Sequence, residues 1–312
     1  MLEVAIFLEG QNGLNWPRWQ RMAEAVEALG FVGLYRSDHF TNMNPPDKDS
    51  LDLWISLTWL ASHTDRIEFG PLVSPISFRH PAFTARMAAA VDDLSGGRLI
   101  LGLGAGWQER EHNNYGYNLL EIADRFERFQ EGLEVVKILL NSDQGSDFDG
   151  QYFQLKDGIL LPRPQRPGGP PILIGGNGRK RTLPLTARYA TEWNALMTTP
   201  EEFASLNNHL NNLLAEQSRD AGEVKRSMMV GCIFGADDSQ VSERVAGRTK
   251  GERSADDLRQ RGVIIGTPVQ MAEQLHQLNQ AGVQRVMLQW LDLDDIEGLE
   301  IISQEVLPKL VS

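Results

Sequence analysis

The sequence predicts an α/β protein, a (β/α)₈ TIM barrel, and three observations carry that prediction. Eight short β-rich runs recur along the chain, and several are apolar on nearly every residue, as strands buried on both faces must be. Longer amphipathic stretches separate them, giving the order β(αβ)₇α. The whole repeat occupies 312 residues, which one barrel accommodates without division. An eight-stranded open, doubly wound sheet is the competing architecture.

The predicted strands are 3–8 (EVAIFL), 31–36 (FVGLYR), 66–70 (RIEFG), 98–103 (RLILGL), 171–175 (PILIG), 191–197 (TEWNALM), 228–234 (MMVGCIF) and 284–290 (QRVMLQW). Helices are predicted over roughly 16–29, 50–63, 81–94, 121–140, 178–189, 200–218, 240–260 and 267–281. In 121–140, Ile122, Phe126, Phe129, Leu133 and Val136 recur at spacings of four and three and form one apolar stripe. In the last of these helices Thr267 caps, Pro268 fits the first helical position and Gln270 completes a capping box, while Gly282 ends it as a left-handed residue. Residues 141–170 break the repeat: turn-formers surround two β-like runs, QYFQL and GILL, so a small exposed hairpin insertion is expected between the fourth helix and fifth strand. No domain boundary is evident, and 1–312 is read as one domain.

Composition narrows function. With 30 basic against 42 acidic residues the formal charge is −12, which disfavours nucleic acid or an anionic membrane surface as partner. Cys232 is the single cysteine and lies in an apolar run, so it reads as a core residue, and an intrachain disulfide is excluded. The N-terminal MLEVAIFLEG has no basic segment and is too short to span a membrane, so a cytoplasmic address is expected. No HExxH, GxSxG or GxxxxGK[ST] occurs, and no metal site is expected.

The chemistry should sit where the strands end, since ligands of parallel α/β proteins bind at the carboxyl ends. After the second strand comes Ser37-Asp38-His39-Phe40; His39 can reach a ligand at the mouth with a pKa suited to proton transfer, and Asp38 can orient it or bind a cofactor. The alternative is a capping aspartate beside a solvent histidine. After the third strand, GPLVSPISFRHP is held rigid by prolines and brings Arg79 and His80 to the next helix. The fourth strand runs into glycines 102, 104 and 106, followed by the polar cluster Trp107–Asn114. These glycines miss the dinucleotide fingerprint but suit close approach of a flat ligand, or tight packing of strands. Glu109 and Glu111 are either a polar edge of the site or a solvated helix start. After the fifth strand, Gly175-Gly176-Asn177-Gly178 leads into a helix with Arg179, Lys180, Arg181 and Thr182, a cradle of backbone N–H groups for phosphate.

Together SDHF (37–40), SPISFRHP (74–81), LSGGRLILGLGAGWQEREHNNYG (94–116), PPILIGGNGRKRTLPLTARYATEWN (170–194) and GTPVQMAEQLHQLNQAGVQRVMLQ (266–289) resemble the luciferase-like flavin/deazaflavin oxidoreductase family. The likeness is strongest to the branch using coenzyme F420, a 5-deazaflavin. It implies a homodimeric barrel that transfers hydride between F420 and a small-molecule substrate, with an FMN-dependent monooxygenase as the alternative. By carry-over, Asp38 and His39 lie against the deazaflavin and are the catalytic pair. The resemblance implies a non-prolyl cis peptide at Leu72–Val73, with Val73–Ser74 as second choice. Leu72, Val73, Ser74, Gly104, Ala105, Gly106, Trp107 and Glu109 then line the cofactor site, and Gly175, Gly176, Asn177 and Thr182 hold its phosphate. Arg79, Arg179, Lys180 and Arg181 are candidates for a polyanionic cofactor tail. Sugar-phosphate enzymes of the family carry Trp shortly after DHF and an acidic residue after GxG. Here those positions are Met43 and Trp107, which points to a less polar substrate.

Overall fold

The computed structural model describes residues 1–310. Its elements in order are β1 (Glu3–Leu8), α1 (Trp16–Ala28), β2 (Gly33–Arg36), α2 (Leu53–His63), β3 (Glu68–Pro71), β4 (Ser74–Pro75), α3 (Pro81–Leu94), β5 (Leu101–Gly104), α4 (Glu109–Tyr115) and α5 (Ile122–Asn141). There follow β6 (Ser146–Asp149), β7 (Gln154–Gly158), β8 (Ile172–Gly175), α6 (Thr182–Tyr189), β9 (Glu192–Leu196), α7 (Pro200–Glu216), β10 (Lys225–Phe234), α8 (Asp238–Thr249), α9 (Ala255–Arg259), β11 (Ile264–Gly266), α10 (Pro268–Gln280), β12 (Arg285–Gln289) and α11 (Ile296–Ile301).

The sheet runs β3-β2-β1-β12-β10-β9-β8-β5-β4, every pair parallel. It comes full circle because Phe69 of β3 bridges Leu99 ahead of β5, with Ile100 N–H donating to Phe69 O at 2.8 Å. This closure excludes the open sheet. Gly70 and Gly102 make the seam possible: a Cβ on them would lie 1.9 Å from Ile100 O and 2.0 Å from Pro71 O. Gly102 therefore serves strand packing, not a ligand.

Period-two alternation divides the strand residues between two cores. Ala5, Phe7, Tyr35, Leu72, Ile100, Leu173, Met229 and Met287 fill the barrel interior. Val4, Ile6, Leu8, Leu34, Leu103, Ile174, Trp193 and Leu288 face outward under the helices. The amino end of the barrel is plugged by Arg285. Its guanidinium meets Glu3 at 2.7 Å, the Tyr35 hydroxyl at 2.7 Å, Glu192 at 3.5 Å, and Glu68.

α10 starts with the expected Thr267/Gln270 capping box, and Gly282 has φ 103°. Four expectations need correction. The helix expected over 240–260 is two, α8 and α9, because Lys250 and Gly251 adopt φ of 52° and 77°. An unexpected strand, β11, pairs with the end of β10. The insertion is a hairpin, but its first arm is Ser146–Asp149 and its second Gln154–Gly158, so GILL lies largely beyond the pairing. In α5, Phe129, Leu133 and Val136 are buried, whereas Ile122 is exposed, as is the whole first turn, 121–124.

Candidate active site

All the predicted clusters lie at the carboxyl ends of the strands. The turn after β2 is shaped by Ser37, whose Oγ accepts from Gly10 N–H at 2.8 Å and donates to Gln11 Oε1 at 2.7 Å. That places Asp38 inward and His39 at the mouth. The His39 side chain is 14% exposed, and its Nδ1 donates to Glu111 Oε1 at 2.7 Å. Glu111 is fully buried and accepts a second bond, from Phe40 N–H, at 3.0 Å. Burial opposes a charged His39, but the Glu111 carboxylate, helped by Glu9 and Asp38, outweighs it and raises the imidazole pKa. Among the described residues, His39 Nε2 has no hydrogen-bond partner and is free for a ligand. Trp107 meets the ring edge-on, centroids 5.5 Å apart.

The sequence leaves Glu111 undecided and points to Glu109 for the cofactor instead. The structure places Glu109 exposed at the start of α4 without a side-chain hydrogen bond among the described residues. Its neighbour two residues on is the group that enters the site. His112, also unassigned, is 1% exposed. Its Nδ1 donates to Gln108 O at 2.7 Å, leaving Nε2 to accept from Ser77 Oγ at 2.8 Å. Burial pushes the His112 pKa down, which keeps that neutral form. Gln108, Glu111 and His112 share one face of α4, but the polar segment EREHNNY carries no local signal that this face is buried.

Asp38 is buried and engaged. Its carboxylate accepts from Ser74 Oγ at 2.8 Å and from both terminal nitrogens of Arg79, Nη2 at 3.2 Å. Arg79, expected to serve a cofactor tail, therefore has its charge committed to the protein, and Asp38 acts as half of an ion pair. The pair staples the turn after β2 to the segment between β3 and β4, where the Leu72–Val73 peptide is cis. His80 caps α3, its Nδ1 accepting from Ala82 N–H at 3.3 Å.

Val73 projects toward the glycines of β5 and β8. A Cβ on Gly104 would stand 2.6 Å from Val73 Cγ2, and one on Gly175 would stand 3.2 Å from Val73 Cγ1. Bare backbone at these two positions with Leu72, Val73 and Ala105 makes a low, apolar wall. Gly106 has φ 87° and passes over Ser77, whose Oγ lies 2.9 Å from the site a Cβ would take.

The glycine turn after β8 differs from expectation in which donors are free. Gly176 N–H is committed to Asn194 O at 2.9 Å. The Asn177 side chain donates to Leu196 O at 2.7 Å and accepts from Leu196 N–H at 2.9 Å, stitching the turn to β9. Among the described residues, the backbone N–H groups of Asn177, Gly178, Arg179 and Lys180 meet no protein acceptor. A Cβ on Gly178 would crowd Thr182 Oγ1 at 2.7 Å, so the cradle stays open only with glycine. This free-donor cluster ahead of α6 fits a phosphate. Lys180 is exposed, Arg179 donates to Ser205 Oγ at 2.7 Å, and Arg181 lies over the Phe126 ring at 6.0 Å.

A closed parallel barrel thus gathers a histidine–carboxylate pair, an apolar wall and a cluster of free backbone donors at one mouth. Comparison supplies the family. Residues 2–285 match the family described as luciferase-like monooxygenase, and the chain belongs to it. It is 26% identical to an F420-dependent glucose-6-phosphate dehydrogenase of Amycolatopsis mediterranei over 92% of each chain. It is also 26% identical to an FMNH₂-dependent dimethylsulfone monooxygenase of Pseudomonas putida, over 93% of this chain and 86% of that one. With an F420-dependent glucose-6-phosphate dehydrogenase of Kineococcus radiotolerans identity is 31%, but the match spans 46% of that relative. The fold superposes on an F420-dependent secondary alcohol dehydrogenase in complex with an F420-acetone adduct, TM-score 0.86, at 18% identity and 99% coverage of both. No cluster of three or more potential metal ligands occurs among the described residues, and no described helix is long and apolar enough to cross a membrane.

Proposed function

We propose that this enzyme transfers hydride between coenzyme F420 and a small organic substrate. The observation that carries the reading is the His39–Glu111 pair: a raised-pKa imidazole, oriented by a buried carboxylate and free at Nε2, beside the wall of Val73, Gly104 and Gly175. The cofactor when bound supplies a ring carbon that carries hydride. The wall residues and Ala105 hold the tricycle, and the free N–H groups of Asn177, Gly178, Arg179 and Lys180 hold the phosphate. His39 moves the accompanying proton at Nε2. Glu111 keeps the Nδ1 proton throughout, so the ring alternates between cation and one neutral form. Asp38, Arg79 and Ser74 hold the bulge and act on position. Exposed Met43 and Trp107 at the mouth suit a substrate less polar than a sugar phosphate. Ile55 and Phe83, 60% and 57% exposed on adjacent α2 and α3, support association into a homodimer.

The test is a pair of fluorescence titrations of purified protein with F420 and with FMN. Tight F420 and weak FMN binding is the expected result. The reverse order overturns the assignment in favour of an FMN-dependent monooxygenase.

A further inference from the structure

The half of the mouth facing the cofactor wall carries a polar string that touches the proton chemistry only through Glu9. Glu9, just past β1, accepts from Gln289 Nε2 at 2.8 Å and from Gln11 Nε2 at 2.9 Å. Gln289 ends β12, and its Oε1 accepts from Arg248 Nη2 at 3.1 Å. Arg248 comes from the last turn of α8, and its Nη1 donates to Cys232 O at 2.9 Å. Glu9 also lies near enough to His39 to raise its pKa, so the string leads from α8 to the catalytic imidazole.

Arg248 differs from the other cations here in its partners. One turn earlier, Arg244 pairs with Asp295 at 2.6 Å. Arg248 has no carboxylate within ion-pair distance among the described residues, and both its acceptors are neutral oxygens. Gln289 stands between it and Glu9, whose charge is taken up by two amide donors. Arg248 is exposed as a residue; burial of its inner guanidinium lowers the pKa, and the nearby Glu9 opposes that shift. The guanidinium borders a cavity of about 190 Å³, also lined by Phe234, Arg244, Trp290 and two carboxylates, Asp295, which Arg244 neutralises, and Asp292. That space admits one end of a small ligand.

We propose that Arg248 anchors a carboxylate on the organic substrate, which makes the substrate class a small, largely apolar organic acid. Its carboxylate sits in the α8 cavity on the guanidinium, and its reacting carbon lies beside His39. Leu196 at the end of β9 and Trp107 in the loop after β5, 45% and 54% exposed, cover the apolar body between them. A planar guanidinium with spare donors fits a carboxylate, and an ester or amide lacks the charge that completes the site. The inference rests on the proposed function only in taking this mouth as the place of reaction.

Calorimetric titration of the whole protein, with and without bound F420, tests it. The probes are cinnamate and hexanoate, each against its methyl ester. Wild-type protein is expected to bind at least one acid about tenfold more tightly than its ester. Arg248→Gln should erase that preference while leaving ester and F420 affinity unchanged, and Arg248→Lys should restore part of it. Equal binding of acid and ester, no acid binding at all, or a preference that survives Arg248→Gln overturns the proposal. Loss of F420 binding with an intact acid preference would instead refute the cofactor assignment and leave the anchor standing. If Arg248→Gln does not fold, the wild-type comparison and Arg248→Lys still decide.

Discussion

Replacing Glu111 with Gln exchanges one carboxylate oxygen for an NH₂ group and isolates the charge that governs His39. The side chain is fully buried and accepts from His39 Nδ1 at 2.7 Å and Phe40 N–H at 3.0 Å. The amide keeps the shape, but one of those donors must face its NH₂ group. A hydrogen bond to a charged partner contributes about 1.5–3 kcal/mol. Losing it lowers the His39 pKa, since the raised value rests on that carboxylate. Burial, which opposes the charged ring, is then countered only by Glu9 and Asp38. A His39 pKa raised in the fold also stabilises the protein below the unfolded value, and that contribution fades as pH rises through the folded value. The mutant should therefore lose stability at pH 5 and little at pH 9. The direct assay is an NMR titration of the His39 Cε1–H resonance in both proteins, with the pH–rate profile of turnover alongside. A limb that moves down with the NMR value supports His39 as the proton-transfer group. An unchanged His39 titration in Glu111→Gln would refute the reasoning.

Three further outcomes follow from the same geometry. Arg285→Met strands the buried Glu192, whose Oε1 already lacks a partner, and should cost about 3–5 kcal/mol in urea unfolding. The loss should shrink on acidification, because burial already raises the Glu192 pKa and a protonated carboxyl needs no counter-charge. Arg79→Ala leaves Asp38 buried on Ser74 alone and should lower stability by about 3 kcal/mol. Adding Asp38→Asn should recover part of this, and strict additivity of the two changes would contradict the ion-pair account. Gly178→Ala places a methyl 2.7 Å from Thr182 Oγ1 in the cradle and should weaken cofactor binding about tenfold, measured by fluorescence titration with the unfolding midpoint unchanged.

The barrel was legible because its strands are apolar runs and its helices amphipathic, so periodicity alone set their order. The capping box at Thr267 and the glycine turn at 175–178 were equally local signals. What escaped depends on tertiary contact. EREHNNY is polar throughout, and nothing in its local pattern says that Glu111 and His112 are buried while Glu109 is not. Arg79 reads as a candidate for a cofactor tail because its partner, Asp38, is 41 residues away in sequence. The break at Lys250–Gly251 carries no proline, and the three residues of β11 are too few for a periodic signal. In the phosphate turn the residue types were readable, but not that Gly176 N–H is already spent on Asn194.

The central claim is hydride transfer at the His39 mouth, and the most direct measurement is single-turnover oxidation of reduced F420 by a candidate organic acid, run with and without oxygen. The account predicts equal rates in both, substrate reduced in step with F420, and a loss of at least about a hundredfold in His39→Ala, at the low end of what a positioned acid or base contributes. A strict requirement for oxygen, with activity only on reduced FMN, would contradict it.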